Sequence, residues 1–393
     1  MIRVCHVITM LELGGAQQNT LYTVSHLDRT RFEPILVTGP GGLLDSEARG
    51  GDVPVHFVSP LGRPVAPAKD AAALVALTRL LRRLNPDIVH THSSKAGILG
   101  RWAGLLAGVP HIVHSIHGFG FHDGQSRLTR DATVTLERVT GRLATSAFIA
   151  VSRANLRSGC ALGLFTRDRV SLIHSGVRLS DFSPRERDAV PTNAPVVVGM
   201  IGCLKPQKAP LDFVAVAARV TAAAGRSRVR FVLVGDGVLR RDLEERIGAE
   251  GLEDVVTLQG WRRDVPEVLR GFDILLHTAR WEGLPRVFPE AMATGLPIVA
   301  TRVDGAPEAV RDGETGYLLE PGDIEGLARR TLELVTAPEM RRRMGGEARR
   351  HVGSWDIDDM VRRQESLYEG LIDGETAMGV ARSTQLESMS EPA

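Results

Sequence analysis

Two glutamates, Glu282 and Glu290, lie eight positions apart in the segment WEGLPRVFPEA, which is interrupted by glycine and proline. A carboxylate can accept hydrogen bonds from two hydroxyls, which suits the vicinal diols of sugars. Because proline favours the first turn of a helix and glycine its end, we expect a short helix that begins at 287–289 and ends at Gly295. Glu290 then lies in the first turn and Glu282 before the helix, so both carboxylates can flank one ligand. An ordinary helix-start acid is the alternative for Glu290 alone.

Two loops that follow predicted strands could meet an anion. Lys205 and Lys208 lie in GCLKPQKAP, just before a predicted helix, where an ammonium group can bind a phosphate. Gly14 and Gly15 follow the first predicted strand, where backbone N–H groups at a helix N-terminus favour negative charge. The ordinary alternatives are exposed lysines in the first loop and a plain strand-to-helix turn in the second. The glycine spacing matches neither a Walker loop nor G-x-G-x-x-G, so neither nucleotide-binding class is indicated.

Histidines gather at the ends of two predicted strands. HTHSSKAG places His90 and His92 on one face of a strand, whereas His114 and His117 of HIVHSIHG point to opposite faces of theirs. The pattern H-x-H at a strand end also begins some metal sites, but no acidic ligand of suitable placement accompanies it. We therefore favour a single functional histidine, His117, over a metal site.

Short β-rich runs alternate with helical patterns along the chain, which predicts parallel sheets, helical crossovers and an α/β fold. The alternation restarts after the polar stretch 178–195, so we expect two doubly wound halves. Ligands of such sheets bind outside the carboxyl ends of the strands, and a cleft between the halves is the expected active site. The predicted strands are 2–9, 34–38, 55–58, 87–90, 111–115, 147–151, 170–173, 195–199, 230–234, 255–259, 273–277, 297–300 and 316–319.

These patterns divide the chain into four segments. Residues 1–188 and 189–353 are expected to form the two α/β domains. Residues 354–375 have apolar positions at helical spacing and predict an amphipathic helix. Residues 376–393 have no sustained period, and we expect them to form a disordered tail.

The composition is that of an ordinary globular protein, with 43% hydrophobic and 24% charged residues among 393. No apolar run reaches the roughly 20 residues that a membrane-spanning helix needs. The chain enters a strand pattern at once, without the charged and apolar regions of a secretion signal. Its three cysteines have no metal-ligand spacing and favour a reduced, cytoplasmic setting.

Charge is distributed unevenly. Residues 1–190 contain 22 Lys and Arg against 15 Asp and Glu, and the remainder contains 26 against 32. The basic half could meet an anionic phospholipid surface or a phosphorylated lipid, or the two surfaces could simply differ. Nucleic acid is not favoured as a partner, because no dense basic run is interleaved with aromatic residues.

Together these motifs resemble the retaining glycosyltransferases of family 4, which have the GT-B fold of two Rossmann-like domains. The most specific part is E-x7-E followed by AMATGLPIVAT and DGAPEAVRDGETGYLLEPGD, and the resemblance covers nearly the whole chain. It implies that the first domain binds an acceptor, that the second binds a UDP- or GDP-sugar donor, and that the final helix crosses back to the first domain. It implies no cofactor or metal, because cationic side chains and helix N-termini stabilise the leaving diphosphate.

The resemblance also implies roles for individual residues. Glu282 would bind the hydroxyls of the donor sugar, Glu290 the ribose and Lys208 the diphosphate, while His117 would lie beside the transferred sugar. The implied catalytic residues are His117, Lys208 and Glu282. The other implied donor-binding residues are Gly14, Gly15, Lys205, Gly283, Arg286 and Val287, and the implied acceptor-binding residues are Arg101 and His117.

Two positions depart from the family pattern. Cys203 stands where the family commonly has an arginine that helps to hold the diphosphate, and Ala209 stands where glycine is usual. A cysteine cannot supply the positive charge. We therefore expect Lys205 to share the diphosphate with Lys208.

The implied reaction is transfer of a hexosyl unit, with retention, to a hydroxyl of a saccharide or lipid-linked acceptor. The implied setting is surface polysaccharide or glycoconjugate synthesis at the inner face of the plasma membrane. The mechanism that the resemblance favours is front-face attack, in which a donor phosphate oxygen takes the acceptor's proton and no protein nucleophile is needed. The alternatives are a nucleotide-sugar epimerase of the same fold and a non-catalytic sugar-nucleotide-binding protein.

Overall fold

The computed structural model describes residues 1–121, 124–184 and 194–374. Residue contacts divide the chain into two compact units, of which unit 1 comprises Met1–Gly176 with the residues from Ile357 on, and unit 2 comprises Val177–Asp356. The expected domain boundary at 188 and the expected tail 376–393 fall outside the described residues. Each unit contains one parallel sheet with helices, which confirms the predicted α/β class.

Unit 1 contains a seven-stranded parallel sheet. Its elements in chain order are β1 (Ile2–Met10), α1 (Gly15–His26), β2 (Phe32–Gly39), α2 (Asp45–Gly50), β3 (Val55–Phe57), α3 (Pro67–Leu84), β4 (Ile88–His92), α4 (Ser94–Ala107), β5 (His111–Ile116), α5 (Arg127–Leu143), β6 (Ala147–Ala150), α6 (Arg153–Ala161) and β7 (Val170–Leu172). The strand order is β3-β2-β1-β4-β5-β6-β7. The carboxyl ends of β1, β4 and β5 therefore lie side by side, which places the loops that follow them at one edge of the sheet.

Unit 2 contains a six-stranded parallel sheet. Its elements are β8 (Val196–Ile201), α7 (Pro210–Ala224), β9 (Val229–Val234), α8 (Arg240–Ala249), β10 (Val256–Leu258), α9 (Val265–Arg270), β11 (Ile274–His277), α10 (Val287–Thr294), β12 (Ile298–Thr301), α11 (Ala306–Ala309), β13 (Gly316–Leu319), α12 (Ile324–Thr336) and α13 (Pro338–Arg350). The strand order β10-β9-β8-β11-β12-β13 makes β8 and β11 neighbours, although 72 residues lie between Ile201 and Ile274. Every strand predicted from the sequence overlaps one of the thirteen strands in the described part of the chain.

The strands are identifiable because both faces of each sheet are covered. Strand β1 is an example: Val4, Cys5, Val7 and Ile8 are all fully buried, although successive side chains point to opposite faces. Such strands appear in the sequence as nearly continuous apolar runs. Their helices then cover the two faces and leave the carboxyl ends of the strands for the loops that carry the polar residues.

The last helix, α14 (Ile357–Ile372), belongs to unit 1. Its apolar face, which includes Met360 and Leu367, packs with Val4 and Ile88 in one hydrophobic cluster. Arg31 ties the polar side of the helix to the unit through an ion pair of 2.7 Å with Glu365. The predicted amphipathic helix is therefore present, with slightly narrower bounds than 354–375.

No helix among the described residues combines the length and the hydropathy that a bilayer-spanning segment requires.

Candidate active site

The loop between β11 and α10 carries the two glutamates in unit 2. Helix α10 begins at Val287 and is followed by Gly295, whose φ of 76° closes it in a left-handed turn. Glu290 lies in its first turn, and Glu282 lies in the loop before it, as the sequence predicted. Gly283, the next residue, accepts a hydrogen bond of 3.1 Å from the backbone N–H of Gly305. This hydrogen bond ties the loop to the segment that follows β12.

Glu282 is buried and has three polar partners. Its Oε1 atom forms an ion pair with Lys208 Nζ and lies 3.1 Å from His277 Nε2. Its backbone N–H donates a 2.6 Å hydrogen bond to Asp304. Burial by itself would raise the pKa of Glu282, but the Lys208 ammonium and the His277 N–H lower that pKa to about 2. The carboxylate is therefore ionised at neutral pH and held in one orientation.

Lys208 reaches Glu282 because the loop after β8 is fixed to the loop after β11. The Thr278 hydroxyl donates to the carbonyl groups of Lys208 and Ala209, at 3.0 and 2.9 Å. The backbone N–H of Arg280 donates a 2.7 Å hydrogen bond to the carbonyl of Gln207. Ala209 itself has φ 44° and ψ 52°, a left-handed conformation. This conformation gives a physical reason for the glycine that is usual at this position.

The glycines after β9 allow a third loop to approach the same place. A Cβ atom on Gly235 would lie 2.0 Å from the carbonyl oxygen of Gly202, and one on Gly237 would lie 2.6 Å from that of Leu204. Both glycines also have positive φ, of 132° and 159°. The segment VGDG therefore packs its backbone directly on the loop that carries Lys205 and Lys208.

Arg286 and Glu290 form a second charged pair at the start of α10. Arg286 Nη2 lies 3.4 Å from Glu290 Oε1. Burial raises the pKa of Glu290, and the adjacent Arg286 guanidinium opposes that shift only in part. Val287, buried, begins the helix beside them. Four predicted donor-binding residues, Lys208, Glu282, Arg286 and Glu290, thus occupy two ion pairs in adjoining parts of unit 2.

Lys205 and Cys203 lie at the turn that precedes Lys208. The backbone N–H of Lys205 donates a 2.8 Å hydrogen bond to the carbonyl of Cys203, and both side chains are partly exposed. Lys205 forms no ion pair with any described residue. Its expected role as a replacement for the missing arginine stays a prediction.

Gly14 and Gly15 lie in unit 1, at the turn between β1 and α1. Gly14 caps the helix in an extended conformation, and α1 begins at Gly15 with no acidic residue in its first turn. The helix N-terminus is therefore free of a negative side chain of its own. This supports the predicted strand-to-helix turn, and its role in binding a ligand stays a prediction.

His117 follows β5 and belongs to a group of buried histidines. Its Nε2 atom lies 3.1 Å from His92 Nδ1, and His92 Nε2 lies 3.1 Å from His6 Nδ1. His90 is bonded by two hydroxyls, Tyr368 Oη at 2.5 Å and Ser115 Oγ at 2.8 Å. Burial lowers the pKa of His6 to about 3 and that of His117 to about 4, so these imidazoles are neutral at pH 7.

Metal ligation can be judged against these hydrogen bonds. His6, His90 and His92 each offer one ligand atom, and these atoms lie within 4.8 Å of one another. However, His6 and His92 bind each other, and both nitrogens of His90 bind hydroxyls. A metal ion would have to replace several of these hydrogen bonds at once. The histidines are therefore better explained as a hydrogen-bonded group than as a metal-binding site.

His117 borders two cavities of unit 1. One is also lined by Ser94, Gly118, Phe121 and Glu137. The other is lined by Asn19, Thr20, His92 and Gln364 among others. Both contain hydroxyl and imidazole groups together with apolar surface. In the ligand-free structure each has room for only about one water molecule.

Arg101 lies in the interior of unit 1. Its side chain is fully buried, and its guanidinium lies 2.5 Å from Glu137 and 2.7 Å from the carbonyl of Gly97. The pair joins α4 to α5, and the neighbouring Trp102 adds a 3.0 Å hydrogen bond to Thr140. Helix α4 therefore directs Arg101 into the protein interior, and the expectation that it binds the acceptor stays a prediction.

Two residues of these groups were not singled out from the sequence. His6 lies in β1 in register with His90 of β4, and His277 ends β11 beside Glu282. His6 could have been found from the sequence, because a doubly wound sheet of this kind places β1 beside β4. For His277 the only signal was its position five residues before Glu282, at the carboxyl end of a strand.

Comparison with known proteins identifies the class. Residues 13–181 match the family model described as Glycosyltransferase Family 4, and residues 195–337 match that described as Glycosyl transferases group 1. The chain is 32% identical over 381 residues to the UDP-Gal:alpha-D-GlcNAc-diphosphoundecaprenol alpha-1,3-galactosyltransferase of Escherichia coli, covering 94% of this chain and 97% of that protein. It is 28% identical over 327 residues to a GDP-mannose-dependent alpha-mannosyltransferase of Mycobacterium tuberculosis (strain CDC 1551 / Oshkosh), covering 80% and 82%.

Solved structures show the same fold. Anabaena Alr3699/HepE, crystallised with UDP-glucose, superposes with a TM-score of 0.78 at 21% identity, covering 94% of this chain and 100% of that one. The sucrose-phosphate synthase of Thermosynechococcus elongatus superposes with a TM-score of 0.80 at 18% identity, covering 95% and 100%. The fold is GT-B, and the chain belongs to the glycosyltransferases of family 4. The predicted glycosyltransferase activity and its nucleotide-sugar donor are confirmed at this level, and none of these findings favours an epimerase.

Proposed function

We propose that this protein transfers a hexosyl unit from a UDP-sugar, with UDP-galactose the first candidate, to a hydroxyl of a sugar carried on a lipid diphosphate. The observation that carries this proposal is the near full-length match to the Escherichia coli galactosyltransferase, whose name specifies both substrates. The mannosyltransferase relative, with lower identity, makes GDP-mannose the second donor to test. The reaction would retain the anomeric configuration and need no metal.

The geometry of unit 2 supports the donor side of this proposal. In the ligand-free structure Lys208 neutralises Glu282. A donor diphosphate would replace Glu282 as the partner of Lys208, and Glu282 would then accept hydrogen bonds from sugar hydroxyls while His277 still holds its Oε1 atom. Glu290 would accept the ribose hydroxyls. Lys208, Lys205 and the N-terminus of α10 would stabilise the charge that develops on the leaving diphosphate.

The proposed chemical step is front-face attack. The acceptor oxygen bonds to the anomeric carbon on the face from which the diphosphate departs, and the bond between that carbon and the phosphate oxygen breaks. The acceptor's proton passes to a phosphate oxygen of the leaving nucleotide, so no protein nucleophile or strong general base is required. His117, with its neutral imidazole and adjoining cavities, would bind on the acceptor side in unit 1.

Helix α5 supports an anionic membrane surface as a further partner. Its outward face carries an apolar stripe, in which Leu128, Leu136 and Leu143 have 82%, 46% and 61% of their surface exposed. Its inward face is mixed, since Val134 packs in a hydrophobic cluster while Glu137 binds Arg101 and Thr140 binds Trp102. The helix therefore has apolar side chains on its exposed face as well as on its buried one.

The charged residues beside the apolar stripe of α5 indicate that its partner is anionic. The exposed Arg127 and Arg142 lie along one edge of the stripe, with one acid, Asp131, between them. An apolar stripe about 22 Å long beside arginines fits the headgroup region of an anionic bilayer. The protein would then lie at the inner membrane face, where a lipid-linked acceptor is located.

The membrane proposal is tested by cosedimentation with vesicles of phosphatidylglycerol and, separately, of phosphatidylcholine. We expect the protein to bind the anionic vesicles with an affinity that weakens as salt is added. The double variant Leu128→Glu with Leu136→Glu should bind them with at least tenfold lower affinity. The matched control is Val238→Glu in unit 2, where the side chain is 76% exposed, and it should leave binding unchanged. Equal binding by the double variant and the wild type would contradict a role for α5.

The activity itself is tested with a donor panel and a synthetic GlcNAc-diphospholipid. Donor binding is measured first by thermal shift, because a ligand at 100 times its Kd adds about 2.7 kcal/mol of stability. The glycosylated lipid is then detected by mass spectrometry, and its anomeric configuration is determined by NMR. We expect the α-anomer with UDP-galactose. An inverted product would refute the mechanism, and transfer from GDP-mannose alone would refute the donor assignment.

A further inference from the structure

Three imidazoles form a continuous hydrogen-bonded row in unit 1. His6 Nδ1 lies 3.1 Å from His92 Nε2, and His92 Nδ1 lies 3.1 Å from His117 Nε2. The row begins in β1, passes the carboxyl end of β4 and ends just after β5. It therefore connects the fully buried His6 to a residue that borders both cavities.

The row can carry its protons in only two ways. Burial keeps all three imidazoles neutral, because it lowers their pKa values well below 6.5. A neutral imidazole has one N–H donor and one acceptor nitrogen. Each contact needs one donor and one acceptor, so the choice at one histidine determines the other two.

The buried end determines which arrangement is favoured. His6 Nε2 is buried and has no hydrogen-bond partner among the described residues. If it carried the proton, it would be an orphaned N–H group, which is rare in protein interiors. Without the proton it leaves only an unused lone pair. The proton of His6 therefore belongs on Nδ1, where it is donated to His92.

We propose that His6 and His92 are positioning residues that hold His117 in the tautomer protonated at Nδ1. His6 donates to His92 Nε2, His92 donates from Nδ1 to His117 Nε2, and the remaining proton of His117 is on Nδ1. His117 thereby offers an N–H donor, which can bind an oxygen lone pair of a ligand such as a sugar hydroxyl. The use of this donor in catalysis rests on the proposed function, whereas the tautomer does not.

NMR of the full-length protein with 15N-labelled histidine tests the tautomer directly, because long-range 1H–15N correlations separate protonated from bare ring nitrogens. In the wild type we expect a protonated Nδ1 and a bare Nε2 on His117. His6→Phe removes the first donor and should give a mixture of His117 tautomers. His6→Asn places an amide N–H where Nδ1–H was and should restore the wild-type spectrum.

The control is His114→Asn, because His114 is a buried histidine of the same sheet that bonds to Thr91 rather than to the row. It should leave the His117 signals unchanged. The proposal would be overturned by a protonated Nε2 on His117 of the wild type. It would equally be overturned by a stoichiometric transition metal in the purified protein, since His6 and His92 would then be ligands.

Kinetics provide a separate readout. His6 does not line either cavity described here, so His6→Phe cannot act by direct contact with a ligand held in them. Its other ring neighbours are His90 and Tyr368, so recovery by His6→Asn is the readout that assigns an effect to the row. Loss of one oriented hydrogen bond should lower kcat/KM about tenfold, and His6→Asn should recover most of it. If the NMR spectra show the expected tautomers but His6→Phe leaves turnover unchanged, then the row fixes the tautomer of His117 and His117 does not act in the reaction. If no donor is turned over at all, the proposed function fails while the tautomer test still stands.

Discussion

The two units prepare their candidate sites by opposite electrostatic means. In unit 2 the carboxylates have cationic partners, Lys208 for Glu282 and Arg286 for Glu290. In unit 1 the side chains around His117 are imidazoles and hydroxyls, and burial keeps the imidazoles neutral. The difference suits the two proposed ligands. A leaving diphosphate needs fixed positive charge where its own charge develops, whereas a hydroxyl acceptor needs only oriented donors and acceptors.

The largest effect is expected from Lys208→Ala, which removes the cation of the unit 2 site. We expect kcat/KM to fall by about 10²–10³, as it does when a group that stabilises developing charge is deleted. Lys205→Ala should lower it by roughly tenfold if the two lysines share the diphosphate. Steady-state kinetics with the preferred UDP-sugar measures both. Full activity of Lys205→Ala beside an inactive Lys208→Ala would show that the diphosphate is not shared.

Acid should weaken unit 1 more steeply than unit 2, because unit 1 contains several buried histidines whose pKa values burial lowers, whereas His277 is one such histidine in the described part of unit 2. His6 and His117 have folded-state pKa values of about 3 and 4, below their ordinary 6.5, so the unfolded chain binds protons first and unit 1 loses stability as pH falls below 6.5. In unit 2 the pKa of Glu282 is lowered from 4.5 to about 2, so its contribution is lost only between those values. Glu290, whose pKa burial raises, acts in the opposite direction.

Hydrogen exchange at a series of pH values measures this difference. Peptides from β1, β4 and β5 should lose more protection between pH 6 and 4 than those from β8 and β11. Each buried neutral histidine should weaken its unit by up to about 1.4 kcal/mol per pH unit within its window, and unit 1 contains more of them. Equal loss of protection in both units would contradict this difference.

Arg101→Met tests whether charge in unit 1 is structural. Removal of one partner of a buried ion pair costs about 3–5 kcal/mol, because Glu137 is left without its counter-charge. We expect a marked decrease in the free energy of unfolding of unit 1, with donor affinity in unit 2 unchanged. Combining it with Glu137→Leu should recover part of the loss. A rise in acceptor KM without a loss of stability would support the role that the sequence suggested.

Much of the framework is predictable from the sequence because its signals are local. Continuous apolar runs mark the buried strands, and Pro289 with Gly295 marks the bounds of α10. Arg101 also had a local signal, since Gly97, to whose carbonyl it binds, lies one turn earlier on the buried face of α4. A charged residue on such a face indicates an internal partner more strongly than a ligand.

The polar connections of the site are not predictable in this way, because they join distant parts of the chain. Lys208 and Glu282 are 74 positions apart, and His6 and His92 are 86 apart. Their proximity depends on the order of strands in the sheet, β8 beside β11 and β1 beside β4. A pattern of residue types can identify each residue as a candidate, but which candidates contact each other is known only once the order of the strands is known.

Both sites also lie beside residues in unfavourable backbone conformations. Replacing these residues by glycine should have the smallest of the predicted effects, a change in the free energy of unfolding. Ala209, next to Lys208, has φ 44°, and Ser93, next to His92, has φ 63°. The left-handed conformation of Ala209 costs a residue with a Cβ atom roughly 1 kcal/mol relative to glycine. Ala209→Gly should therefore stabilise unit 2 by about 0.5–1 kcal/mol, because it relieves strain without removing a side-chain hydrogen bond.

Ser93→Gly is the matched comparison in unit 1. Ser93 has φ 63° and ψ 157°, a region that is almost confined to glycine, so the substitution relieves strain of about 1–3 kcal/mol. It also removes the 2.7 Å hydrogen bond between the Ser93 and Thr9 hydroxyls, worth about 0.5–1.5 kcal/mol, so a small net stabilisation is expected. Urea denaturation of the two variants measures both free energies of unfolding. If Ala209→Gly lowered stability, the backbone at Lys208 would be held by more than the Thr278 hydrogen bonds, and the strain would have to be assigned elsewhere.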